Sequence, residues 1–165
     1  LPDEVKEKQQ DLIKDKVGME VRRRLMHQPK VMQQARNAVR YAERLGKDAG
    51  GDMGVIIMAA HLIPLARTND SETGGQDQRT MAHTILEKVG AKKQVADKVV
   101  SILEALSSGG DLELEASIVQ DAELMAQLEE ESKAFSLSKD EIERRIHDEL
   151  ITEQGQNVAQ RVLLQ

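Results

Sequence analysis

His61 is the residue in this chain best placed for unusual chemistry. It is the only polar side chain in the run Val55-Ile-Ile-Met-Ala-Ala-His-Leu-Ile-Pro-Leu65. A helix made from that run is apolar all round and belongs at the centre of a fold. An imidazole buried there needs a partner, because an unsatisfied buried polar group costs about 1–3 kcal/mol. A metal ion is one such partner. Asp121 poses a similar problem: on a helix it shares a face with Ile118 and Met125. A carboxylate on an apolar face calls for a cation, a cap role or an Arg from another helix. His27, two residues before Pro29, means little alone and reads as a surface residue. Together, His27, His61 and Asp121 offer two imidazoles and a carboxylate, a set that suits Zn, Fe, Ni or Mn.

The elements that must hold these groups all read as helix or loop. Residues 2 to 26 form a charged, weakly amphipathic first helix anchored by Leu12, Ile13, Val17, Val21 and Leu25. Pro29 suits the first position of a second helix, with Val31, Ala35, Ala38, Val39, Ala42 and Leu45 inward and Gly46 as its stop. Gly50-Gly51 leads into the apolar helix of about residues 52 to 66, which Pro64 is expected to kink or end. Residues 68 to 78 read as a polar loop. Two shorter helices, about 77 to 89 and 93 to 106, flank Gly90, and Ser107-Ser-Gly-Gly110 forms a second loop. A long helix from about 112 to 134 carries Asp121 and ends in Glu129-Glu-Glu131. Ser138-Lys-Asp-Glu141 has the form of a capping box ahead of Ile142, Ile146 and Leu150. A last short helix turns Val158, Val162 and Leu163 inward. The expectation is a single all-α domain of seven to eight helices over residues 1–165. It divides into an N-terminal helix (1–26), a core (27–134) and C-terminal helices (135–165).

Composition narrows the functions further. One Tyr, one Phe and no Trp leave the core to Leu, Ile, Val, Ala and seven Met, with little of the alternation a sheet needs. A net charge of −6 and a pI near 5.3 argue against a nucleic-acid polymer as partner, and so does the lack of stacking aromatics. The absence of Cys removes disulfides, thiolate metal sites and thiol nucleophiles and fits a reducing compartment. The apolar run of residues 53 to 66 is shorter than the roughly 20 residues a bilayer demands, so no membrane partner is expected and a cytoplasmic location is. No leader pattern opens the chain, and Leu1 in the first position suggests trimming. Gly-rich phosphate loops and the Gly-x-Ser-x-Gly nucleophile turn are absent. Arg22-Arg-Arg24 reads as a charge complement to a helix C-terminus.

From residue 26 to the end the chain resembles the HD-domain metal-dependent phosphohydrolases, whose motif is a His, then a His-Asp pair, then a distant Asp. His27 with the Ala-rich helix to Leu45 is similar to the first-His helix, and Ala59-Ala-His-Leu-Ile63 to the His-Asp segment. Ile85-Leu-Glu-Lys-Val-Gly90 and Val99-Val-Ser-Ile102 look like the connecting helices. Ser117-Ile-Val-Gln-Asp-Ala-Glu-Leu124 resembles the segment bearing the last Asp, and this is the most specific agreement. Ile151-Thr-Glu-Gln-Gly155 with Val158-Ala-Gln-Arg161 resembles the tail of one bacterial branch. The resemblance implies one divalent metal on His27, His61 and Asp121, and hydrolysis of a phosphorylated small molecule or nucleotide.

The departures are specific. Leu62 stands where the family has the metal-binding Asp of the pair, and Leu cannot coordinate. The further His that the family carries after the Val-Val-x-Ile helix is absent from Glu104-Ala-Leu-Ser-Ser108, and His83 is misplaced to substitute. Asp70, Glu72 and Asp77 lie in the following loop as stand-in ligands or, by default, as solvated charges. Three readings follow. One is a weakened phosphohydrolase; another is a sensor or regulator that binds metal or nucleotide without turnover. The third is a helical interaction module with no metal site, its His and Asp being satisfied core polars. Homo-oligomerisation is compatible with all three.

Overall fold

The apolar run around His61 folds as the third helix of an all-α bundle, and that helix organises the rest. The computed structural model describes residues 3–67 and 77–165, and among them the chain forms eight helices and no strand. These are α1 (Asp3–Leu25), α2 (Pro29–Ala49), α3 (Met53–Ala66) and α4 (Gln78–Lys88), followed by α5 (Lys93–Ser108), α6 (Leu114–Phe135), α7 (Lys139–Glu149) and α8 (Glu153–Leu163). Of the 14 residues of α3, 11 are buried, so it has almost no solvent face. Helices α1, α2, α5 and α6 pack around it, and α2 lies along α6. One continuous core draws residues from all eight helices. No described helix is long and apolar enough to cross a membrane.

Local chemistry explains most of the ends. Asp52 caps α3, its carboxylate accepting the Val55 N–H at 3.3 Å, and Asp77 caps α4 through Thr80 N–H at 2.7 Å. At α7 the N-cap half of the expected capping box is in place, where Ser138 Oγ accepts the Glu141 N–H at 3.2 Å. Three expectations change. Pro64 lies in the last turn of α3 and the helix runs two residues past it to Ala66, with the Arg67 N–H reaching the Ile63 carbonyl at 3.0 Å. Gly46 does not stop α2. It is buried within it, and a Cβ there would come within 2.9 Å of the Met53 side chain, so its smallness lets α2 approach the start of α3. The stop is Gly50, whose φ of 81° is a conformation L side chains rarely adopt.

Leu12, expected as an anchor of α1, is 54% exposed. Nine residues separate it from buried Val21, about two and a half helical turns, so the two side chains leave opposite sides of α1. Most of the polar loop expected over residues 68 to 78, including Asp70 and Glu72, lies outside the described residues.

Candidate functional site

Asp121 sits on α6 at 0% exposure, beside Ile118 and Met125, which are equally buried. Its carboxylate is fully engaged from within the chain. Oδ1 accepts the Ile151 N–H at 2.8 Å, while Oδ2 accepts the Thr152 N–H at 2.8 Å and the Thr152 hydroxyl at 2.6 Å. Thr152 is the N-cap of α8, and its Oγ1 in turn accepts the Gly155 N–H at 2.9 Å. A buried acid on α6 thus fastens the start of α8, where the unpaired N–H groups and the helix dipole favour negative charge. Burial pushes the Asp121 carboxyl above its ordinary value, and the hydrogen bonds from Ile151 and Thr152 pull it partly back. Gly155 must be small: a Cβ there would lie 2.5 Å from Asp121 Oδ2.

His61 faces another way. Its ring lies against Gly18 of α1, where a Cβ would approach Cε1 to 2.8 Å, so the missing side chain at Gly18 is what admits the imidazole. Among the described residues no hydrogen bond reaches the ring, but His61 keeps partial contact with solvent at the edge of α3. That contact relieves the imidazole of the need for a metal or a core partner. Burial lowers its pKa to about 4; nearby Arg22 pushes the same way, and Asp15 opposes.

His27 occupies the exposed turn between α1 and α2, its Nε2 3.4 Å from the Gln28 amide nitrogen. The turn is set by the Gln28 N–H bonding back to the Leu25 carbonyl and by Pro29 opening α2, which leaves His27 at the end of the bundle.

His27, His61 and Asp121 are therefore not brought together as the metal centre that their order in the chain suggested. No group of three His, Asp or Glu side chains capable of holding a metal ion occurs among the described residues. The carboxylate is committed to α8, one imidazole to the α1–α3 contact, and the other to an exposed turn. Leu62 is wholly buried in the core, and Asp77, considered as a stand-in ligand, spends its carboxylate on capping α4. His83 is partly buried on α4.

Sequence reasoning missed the polar ties between helices. Arg67, just past α3, bonds Glu123 of α6 through Nε and Nη2 at 3.3 and 3.1 Å. The acidic end of α6 is likewise structural. Glu129 accepts the Tyr41 hydroxyl at 2.7 Å, and Glu131 pairs with Arg145. Burial, aided by Glu129, pushes the Tyr41 phenol up to about 12. A clue lay in the sequence: Tyr41 falls in the inward register of α2, and a buried phenol needs an acceptor.

The His61 shift carries a pH dependence whose sign is fixed. Above about pH 6.5 the ring is neutral in folded and unfolded chains alike. Between 6.5 and about 4 the unfolded chain takes up a proton that the fold resists, so stability falls as the pH falls, and the loss is complete below about 4. The full effect is at most about 3 kcal/mol, reduced by the ring's contact with solvent. Urea unfolding of wild type and His61→Gln from pH 8 to 4 is expected to show wild type losing ground to the variant only below about 6.5. Parallel curves would refute the assignment.

The fold and its polar contacts define an all-α bundle in which the conspicuous buried acid ties one helix to another. Protein-family models, curated proteins and solved structures contain no match to this chain.

Proposed function

We propose that this chain is a helical interaction module that works without a metal centre. The observation that carries this reading is the engagement of Asp121: both of its oxygens accept hydrogen bonds from the turn that opens α8, so the residue most like a metal ligand has a structural role. His61 has a steric one, filling the space above Gly18. The hydrolase reading, and a sensor that binds metal, both need these side chains to converge, and nothing in the described residues supports that convergence.

A surface suited to partners lies on α1. Met19 of α1 and Met26, in the turn just past its end, are 60% and 69% exposed and follow the exposed Leu12 at intervals of seven residues. Seven residues are nearly two turns, so the three form one apolar line. Flexible methionines are well suited to adaptable binding surfaces.

Metal content and chelator response separate the readings. Protein purified without chelator or metal-affinity resin is expected to carry far less than one Mn, Fe, Ni or Zn per chain. Its thermal midpoint should not move when a strong chelator is added, because a ligand bound only to the folded state would raise that midpoint. Nor should it release phosphate from p-nitrophenyl phosphate or a nucleotide. Near one metal per chain in wild type, lost in His61→Ala, would overturn this reading and restore a live centre.

A further inference from the structure

A pocket beside the start of α3 combines aliphatic walls with two lysines. It is a cavity of about 350 Å³ between α1, the first turns of α3 and the α4–α5 turn. Its size falls within the range of about 300–1,000 Å³ that holds small molecules. The floor is aliphatic, formed chiefly by Ile13, Met58, Val89 and Val95, with no aromatic ring to stack a nucleobase. Two lysines, Lys16 of α1 and Lys92 at the start of α5, stand at its edge. Neither has an ion-pair partner among the described residues. Asp52 is the only acid among the described residues of the lining, and its carboxylate already accepts the Val55 N–H.

We infer that this pocket binds a small aliphatic carboxylate, its hydrocarbon chain on the Ile13–Met58–Val89–Val95 floor and its charge between Lys16 and Lys92. The two halves of the argument are independent. Aliphatic walls favour a flexible hydrocarbon over a planar or sugar-like body, because each buried methylene gains from leaving water. Two unpaired ammonium groups at the rim of a chain with net charge −6 select an anion at that point. The inference does not rest on the interaction-module reading, although Leu12 lines the pocket as well as the exposed apolar line of α1.

The test is an amide NMR titration of the full chain with sodium octanoate, and with 1-octanol as the uncharged comparison. Octanoate is expected to cause saturable shifts confined to residues around Ile13, Val55 and 89–95. Octanol should bind about tenfold more weakly or worse. Lys16→Glu with Lys92→Glu, both on exposed positions and so expected to fold, should weaken octanoate about tenfold or more while leaving octanol unchanged. Val95→Phe, which fills the floor, should weaken both. Shifts that do not saturate, or that spread over the whole surface, would overturn the proposal. So would equal octanoate affinity in the double-lysine variant, which would mean apolar adsorption alone.

Discussion

Replacing Asp121 with Ala is expected to destabilise the protein by about 3–5 kcal/mol, a large share of the roughly 5–15 kcal/mol that holds a domain of this size together. The substitution strands three donors, the Ile151 and Thr152 N–H groups and the Thr152 hydroxyl, in a site with no water contact at the acid itself. A stranded donor costs about 1–3 kcal/mol when fully buried and less at these part-buried positions, and the cavity at the buried acid adds to that. Asp121→Asn should be milder, since one acceptor oxygen survives while the new amide meets a donor. The damage should be local before it is global. Hydrogen exchange is expected to quicken first at residues 151–158, where α8 begins, and much less in α2 and α3. A metal ligand in a site lacking its metal would behave otherwise, tolerating Asn or Ala with little loss, and that result would return Asp121 to the list of functional residues. The raised carboxyl pKa is consistent with the structural role, because burial outweighs the three hydrogen bonds that favour the charged form.

Leu62→Asp, the change that would rebuild the His-Asp pair of the phosphohydrolases, is expected to unfold the protein rather than create a metal site. Leu62 is wholly buried within α3, among the largest side chains with no exposure. Asp there forfeits the burial of a Leu and introduces a carboxylate into the apolar core, for a combined cost of about 5 kcal/mol or more. Leu62→Ala provides the comparison: it should cost about 2–5 kcal/mol and leave a folded, less stable chain. Circular dichroism and thermal unfolding of the two variants, with and without added Mn or Zn, read the outcome. A Leu62→Asp variant that folds and is stabilised by metal would show that His61 and position 62 can share a coordination site after all, and the resemblance at Ala59-Ala-His-Leu-Ile63 would then carry function.

The sequence alone determined the class of this fold and the identity of its centre. An apolar stretch from Val55 to Leu65 can only be buried, amphipathic segments on either side supply the helices that bury it, and Ser138 with Glu141 announces the start of α7. These signals are local, because a helix's period, caps and buried face depend on residues a few positions apart. The face of Asp121 was legible for the same reason, since Ile118 and Met125 lie within one turn. What meets that face was not. Thr152 lies 31 residues further on, and only the docking of α8 against α6 decides that a backbone N–H pair, rather than a metal, satisfies the acid. The same holds for His61, whose environment depends on a glycine 43 positions earlier on a helix that crosses α3 at that point. Spacing along one helix states which side chains share a side. Only tertiary packing states what lies opposite them, and a buried polar group takes its role from its partner.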